Sequence, residues 1–186
     1  MKRLFDLVVA VMAVVILALP ILAVTLAIRL TSAGPVLYWS DRVGRHNRIF
    51  RMPKFRSMRM DTPAMASHLL HNPDQWLTPI GSALRKSSLD ELPQLWSILK
   101  GDMSFVGPRP ALYNQEDLIA LRTDRGVHEL VPGLTGWAQV NGRDEIPILQ
   151  KVELDSEYLA NRSFAMDMKI LFLTAVKVLK RDNVTH

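Results

Sequence analysis

The sequence predicts an α+β fold that is mostly helical, with a small β-hairpin and amphipathic helices around a compact core. Three observations lead there. Residues 7–28 carry no charge. Two short runs rich in β-branched and aromatic residues flank the turn sequence Gly44-Arg45-His46-Asn47. Apolar residues recur at helical spacing after Ser88, Pro147 and Ser163.

The apolar segment comes first in the chain. Leu7–Ile28 has about the length needed to cross a bilayer core of roughly 30 Å as a helix. Three readings compete. Small residues in "TSAGP" (31–35) suit signal-peptide cleavage, but the apolar part exceeds the usual ~7–15 residues and Arg29 adjoins the site. A simple spanning helix would put Lys2 and Arg3 on one side and Arg29 on the other, with weak support because the chain beyond Arg29 is also strongly basic. A re-entrant helix would bend at Pro20, which lacks a backbone donor. Leu7–Leu19 alone reaches only roughly 20 Å. Chain physics leaves the spanning and re-entrant readings even, since prolines also occur in spanning helices.

Val36–Trp39 and Ile49–Met52 read as the hairpin strands. Arg42, Arg45, Arg48, Arg51, Lys54, Arg56 and Arg59 surround them, with Asp41 the one acid among them. A solvated basic face explains such a cluster. So does a surface beside anionic headgroups, which suits the apolar segment just upstream. Nucleic-acid binding is disfavoured: aromatic residues are not interleaved, and no helix-turn-helix or zinc pattern is present. Formal net charge over the 186 residues is +5, which favours anionic partners. Absence of cysteine excludes disulfides and thiol chemistry. His46, His68, His71, His128 and His186 lack metal-ligand spacing.

Residues 61–80 are polar and proline-punctuated, with a short helix expected around Ala64–Leu70. Ile148–Ala160 reads as a helix, and Ser163 as the N-cap of another. This last helix is expected to gather Lys169, Thr174, Lys177, Lys180 and Arg181 on one side. Leu171, Phe172, Ala175, Val176, Val178 and Leu179 should lie on the other, a pattern suited to a membrane interface or to an ordinary surface helix packed on the core, the apolar N-terminal segment favouring the interface.

The stretch "SLDELPQLWSILKGDMSFVGPRP" (88–110) carries the chemistry. Pro93 is tolerated only near a helix start, so the helix should begin at Ser88–Leu92. Ser88 and Glu91 have capping-box spacing. Leu92, Leu95, Trp96 and Leu99 should form one buried stripe, ended by Lys100-Gly101. Asp90 and Glu91 then serve either as first-turn acids suiting the helix dipole or as a functional pair. Arg85 and Lys86 just before them, and the rigid Pro108-Arg109-Pro110, favour the second: carboxylates and arginines converging there suit a metal with phosphate.

"KFRSM" (54–58), "RKSSLDELPQLWSILKGDMSFVGPRP" (85–110) and "PGLTGWAQVNGR" (132–143), in this order and spacing, resemble the bacterial sugar transferases, the monotopic phosphoglycosyl transferases. The similarity runs over nearly the whole chain. It implies transfer of a sugar phosphate from a UDP-sugar to polyprenol phosphate at the cytoplasmic face of the bacterial inner membrane. It also implies a re-entrant anchor over residues 1–32 with a catalytic domain over 33–186. The family's Ser-Pro at the bend is Leu19-Pro20 here. By this resemblance Asp90 is the nucleophile and Glu91 helps it hold Mg²⁺. Arg85 and Arg109 are candidates for phosphate contacts, and Lys54, Arg56 and Arg143 are further candidates for phosphate or nucleotide. Trp137 suits either base stacking or packing, and Gly133, Gly136 and Gly142 suit turns. The lipid bilayer is the expected partner, and a homo-oligomer is compatible. An inactive membrane-surface scaffold and a nucleotide-sugar hydrolase are the alternatives; the transferred sugar is not specified.

Overall fold

The computed structural model describes residues 1–62, 72–142 and 146–180. The helix expected around 64–70, together with His68, His71, Arg143, Arg181 and His186, lies outside them.

Helices α1 (Lys2–Ile16) and α2 (Ala18–Thr31) meet at Leu17 with a 60° bend. The break precedes Pro20 by three residues, and the reason is local. In a continuous helix, residue 20 would donate to the carbonyl of Ile16; proline has no N–H, and its ring presses on that carbonyl. Bending at Leu17 relieves the clash while Leu17 N still reaches Ala13 O and Ile21 N reaches Leu17 O, both at 2.8 Å. Among the described residues no single helix is long and apolar enough to cross a membrane, but the bent pair together is.

Both ends of this pair are fastened to the same body. At the start, Lys2 Nζ meets Asp167 at 2.6 Å, and Arg3 donates to the carbonyls of Ile98 and Leu99. Buried Asp6 accepts from Phe105 N at 3.2 Å. At the far end Arg56 donates to the carbonyls of Ser32 and Ala33 and to Ser32 Oγ. Between these fastenings, Ala10 packs with Met52, Leu95, Ile98 and Met103, and Val24 and Ile28 pack with Phe55 and Leu84. The outward side exposes Val8, Val11, Val15, Leu19, Leu22 and Leu26.

Strands β1 (Leu37–Val43) and β2 (Ile49–Phe55) form an antiparallel hairpin, in register from Leu37 opposite Phe55 to Val43 opposite Ile49. Both extend past the apolar runs expected of them, because the adjoining polar residues pair across the ladder, Asp41 opposite Arg51 among them. The turn is closed by His46 and Asn47 in left-handed conformation, at φ 55° and 59°.

Helix α3 (Gly81–Lys86) leads through a 3₁₀ turn (Leu89–Gln94) into α4 (Leu95–Lys100), which Gly101 ends at φ 96°. Leu95 and Ile98 are buried, but Trp96 is 56% exposed, so the expected stripe is corrected at that position. The short parallel strands β3 (Ser104–Val106) and β4 (Gly133–Thr135) follow, separated by α5 (Glu116–Asp124). Gly107 and Gly133 make their contact possible: a Cβ on Gly133 would meet Gly107 N at 2.1 Å, and one on Gly107 would meet Val131 O at 2.3 Å. Gly133 therefore serves close backbone approach rather than the turn expected of it.

Helices α6 (Trp137–Asn141), α7 (Ile148–Asn161) and α8 (Phe164–Lys180) complete the body. Val106, Val127, Leu130, Val140, Tyr158 and Ile170 form their common core. Ser163 Oγ caps α8 by accepting from Met166 N at 3.2 Å. The sides of α8 differ from the expected division. Thr174 turns inward to Thr135 Oγ1 at 2.8 Å, and Asp167 is buried against Tyr158 Oη at 2.6 Å. Phe172 and Val178 are exposed beside Lys169 and Lys177. Polar pairing inside decides which face packs, and that cannot be read from apolar spacing.

Candidate active site

Asp90 and Glu91 are the second and third residues of the 3₁₀ turn Leu89–Gln94. The expected capping box does not form. Ser88 adopts φ 57° and makes no side-chain cap; it offers its carbonyl, which accepts from Glu91 N at 3.2 Å. Pro93 is the fifth residue of the turn, where it cannot donate to Leu89 or Asp90, and regular α-helix begins only at Leu95. The proline thus keeps the carboxylates on a tight turn rather than marking a helix start.

Three cations from separate parts of the chain surround this turn. Lys54 Nζ, on β2, lies 2.8 Å from Glu91 Oε1, and Arg109 lies 3.4 Å from the same oxygen. Arg85, at the end of α3, donates to Met58 Sδ at 3.6 Å, and its charge interacts with Asp90. Asp90 is 7% exposed, and among the described residues its Oδ1 accepts no hydrogen bond. Burial pushes its pKa up to about 6, and the charge of Glu91 adds to the rise; Lys54, Arg85 and Arg109 oppose it. Burial lowers the pKa of Arg85, with Asp90 opposing. Asp90 is thus buried but, at about 6, still mostly ionised at neutral pH. A carboxylate with an unengaged oxygen, set among cations, matches an incoming phosphorus centre that carries anionic oxygens.

Arg109 is held by its backbone. Prolines on either side leave the turn short of donors, so its carbonyls accept from outside. Pro108 O accepts from Gly133 N at 2.9 Å, and Arg109 O from Arg122 at 2.8 Å. Pro110 O accepts from Arg42 at 3.2 Å, and Ala111 O from Val43 N at 2.9 Å. Arg122 is itself fixed by Asp155 Oδ2, at 2.9 Å from Nε and 2.6 Å from the terminal nitrogen. Burial raises the pKa of Asp155, and Arg122 opposes that rise. Sequence reading missed Arg42, Arg122 and Asp155 in this role. Arg122 and Asp155 are 33 positions apart, so no local pattern links them.

The other expected site residues divide. Lys54 joins the carboxylates. Arg56 does not: it is 4% exposed, and its guanidinium closes the end of α2 on Ser32 and Ala33. It reads as a structural fastening, since those carbonyls have no helical partner of their own. Trp137 packs against the body's core, bonds Glu157 through Nε1 at 2.9 Å and lies under Lys169, which favours packing over base stacking. Arg143 lies outside the described residues.

Among the described residues no group of three or more His, Cys, Asp or Glu is placed to hold a metal. The adjacent Asp90 and Glu91 nonetheless fit Mg²⁺, which usually takes one or two carboxylates and completes its shell with substrate phosphate and water. The donor set carries that fit: two adjacent carboxylates on one turn, beside cations suited to a substrate phosphate.

Comparison with known proteins gives this geometry a context. Residues 1–181 match the family described as "Bacterial sugar transferase". The chain is 43% identical to "Uncharacterized sugar transferase EpsL" of Bacillus subtilis, aligning 99% of itself with 90% of that protein. It is 39% identical to the undecaprenyl-phosphate galactose phosphotransferase of Salmonella typhimurium, over 98% of this chain and 41% of the relative. It is 38% identical to the UDP-glucose:undecaprenyl-phosphate glucose-1-phosphate transferase of Escherichia coli, over 95% of this chain and 40% of the relative. It thus spans about two fifths of the length of these last two.

Proposed function

This chain belongs to the bacterial sugar transferase family, and from that premise we propose that it moves a sugar-1-phosphate from a UDP-sugar to undecaprenyl phosphate. The products are undecaprenyl-diphospho-sugar and UMP. The observation that carries this reading is the meeting of Asp90 and Glu91 with Lys54, Arg85 and Arg109. One phosphoanhydride replaces another, so the difficulty is electrostatic: an anion must approach a diphosphate.

Asp90 Oδ1 attacks the sugar-bearing phosphorus. The bond from that phosphorus to the bridging oxygen breaks, and UMP leaves with the electron pair. An oxygen of undecaprenyl phosphate then attacks the aspartyl-bound phosphorus, and the carboxylate of Asp90 departs unchanged. The covalent route splits one displacement into two. Arg85 and Arg109 stabilise the charge that builds on the transferring phosphoryl oxygens. Lys54 and Arg109 hold Glu91 beside them. Asp90 and Glu91 would hold Mg²⁺, which supplies Lewis-acid withdrawal of charge from the diphosphate. The fastening of both ends of α1–α2 to one body supports a re-entrant anchor, with the site on the cytoplasmic face where nucleotide sugars reside.

The test is a panel of UDP-sugars with Mg²⁺, first without acceptor. With the correct sugar, the enzyme releases about one UMP per site and gains one sugar-phosphate in mass on Asp90; undecaprenyl phosphate then discharges it. Turnover with no label and no burst would sink the aspartyl step and leave direct transfer. Continuous UMP release without lipid would favour a hydrolase.

A further inference from the structure

Arg85 differs from the other two cations of the site. Lys54 and Arg109 are both paired with Glu91, at 2.8 and 3.4 Å. Among the described residues Arg85 forms no direct ion pair, and its one hydrogen bond runs to Met58 Sδ at 3.6 Å. A guanidinium has five N–H donors, and a thioether is a weak acceptor. The contact gives the guanidinium a direction and leaves its charge and most of its donors unused.

Met58 is itself fixed through its backbone. It follows β2 and forms an antiparallel bridge with Leu77. On either side, Ser57 O accepts from Thr78 N at 3.0 Å, and Arg59 N donates to Trp76 O at 2.8 Å. The same Ser57 carbonyl lies against the first residue of α3: a Cβ on Gly81 would meet it at 2.0 Å. Arg85 is the fifth of the six residues of α3. Residues 57 and 58 thus hold this short helix at both ends, Ser57 against Gly81 and Met58 against Arg85. Lys54 stands four residues before Met58, so one run of chain sets two of the three cations.

We propose that Met58 is a positioning residue for the transfer: its thioether aims Arg85 at the phosphoryl oxygens of the donor without neutralising it. The inference rests on the transferase reading and adds a residue that acts through Arg85. A carboxylate at this position would take the guanidinium in a bidentate pair and compete with phosphate. An aliphatic side chain would fill the space and give Arg85 no partner. The thioether is polarisable and its hold is weak, so an anionic phosphate oxygen displaces it readily.

A double-mutant cycle tests this. Met58→Leu keeps the volume and removes the acceptor, an exchange that packed sites tolerate well. With the correct UDP-sugar, kcat falls about tenfold while KM for that sugar changes little, because the misaimed group acts in the transition state. In the Arg85→Ala background the same substitution changes kcat by less than about twofold, since the group it acts through is gone. Met58→Glu captures Arg85 and loses as much rate as Arg85→Ala, about 10²–10³. Thermal unfolding of each variant, on the same preparations, separates these losses from loss of fold. Normal kcat in Met58→Leu overturns the proposal, and so does near-normal kcat in Met58→Glu. A full tenfold loss in the Arg85→Ala background overturns it too, by making Met58 a packing element. Failure of the transferase reading looks different: the unsubstituted enzyme would release no UMP with any UDP-sugar, and the positioning role would fall with it.

Discussion

Asp90→Asn should make the free protein more stable at pH 8 while abolishing transfer. The substitution keeps the side chain's shape and removes its charge. The pKa of Asp90, pushed up to about 6 by burial from an ordinary value of 3.8, sets the magnitude. Because the folded value is raised, the folded state favours the protonated form. The associated stability is fully present below pH 3.8 and is lost as pH rises to about 6. Relative to the protonated form, the ionised carboxylate destabilises the fold by about 1 kcal/mol at pH 4.5 and about 3 kcal/mol at pH 8. Asparagine does not titrate, so the advantage of Asp90→Asn over the unsubstituted protein should grow by about 2 kcal/mol between those pH values. Any fixed cost of burying an amide cancels in that difference.

Denaturant unfolding of both proteins in one detergent, at constant ionic strength and without Mg²⁺ or nucleotide, measures it. A stability difference that stays constant or shrinks as pH rises would refute the claim that Asp90 is desolvated. In the unsubstituted enzyme, kcat/KM for the UDP-sugar should fall about tenfold from its plateau by pH 5, because the ionised fraction at a pKa near 6 is then about one tenth.

Other outcomes rest on the same geometry. Arg85→Ala and Arg109→Ala should each lose about 10²–10³ in rate with little loss of folding, and near-normal turnover in both would mean the phosphate site lies elsewhere. Arg122→Met should destabilise the fold by about 3–5 kcal/mol by leaving Asp155 buried and unpaired. Adding Asp155→Leu should recover much of the stability but not the rate, since Arg109's carbonyl still lacks its donor; recovery of both would reduce the pair to a packing element. Single cysteines replacing Lys2 and Arg48, in a chain with none of its own, should both react with an impermeant reagent from the cytoplasmic side, and opposite labelling would exclude the re-entrant anchor. Chelation should stop turnover and Mg²⁺ restore it; full activity in excess chelator would remove the metal from the reading.

What could be read from the sequence is what depends on short range. The hairpin, the break associated with Pro20, the cap at Ser163 and the stop at Gly101 each depend on a few adjacent residues. So does the placing of Asp90 and Glu91 on one tight turn, which Pro93 shares. Burial is different. A carboxylate after a serine and before a proline looks like an exposed first-turn acid. Only the packing of the turn on β2, which buries Asp90 to 7% exposure, makes it a desolvated one. The sequence equally makes Arg56 an attractive phosphate ligand, because nothing local shows that the end of α2 returns to claim it.

The arrangement also explains why the site draws on residues far apart in the chain. A buried carboxylate set among cations is a poor stability element; on the proposed mechanism it is a prepared reaction centre, and its cations must not collapse onto it. Lys54 and Arg109 are drawn to Glu91 at 2.8 and 3.4 Å, which leaves Asp90 Oδ1 unengaged among the described residues. Arg109 keeps that position because all four carbonyls from Pro108 to Ala111 are pulled outward by β1, β4 and the Arg122–Asp155 pair. Glu91 therefore acts as a decoy for the cations as well as a candidate metal ligand. Replacing it by glutamine should free Lys54 and Arg109 to pair with Asp90. The pKa of Asp90 would then fall below about 6, and its oxygen would be less nucleophilic. The acid limb of the pH–rate profile should move to lower pH in Glu91→Gln even as the rate drops. An unmoved limb with a lower rate would leave Glu91 only its role toward the metal.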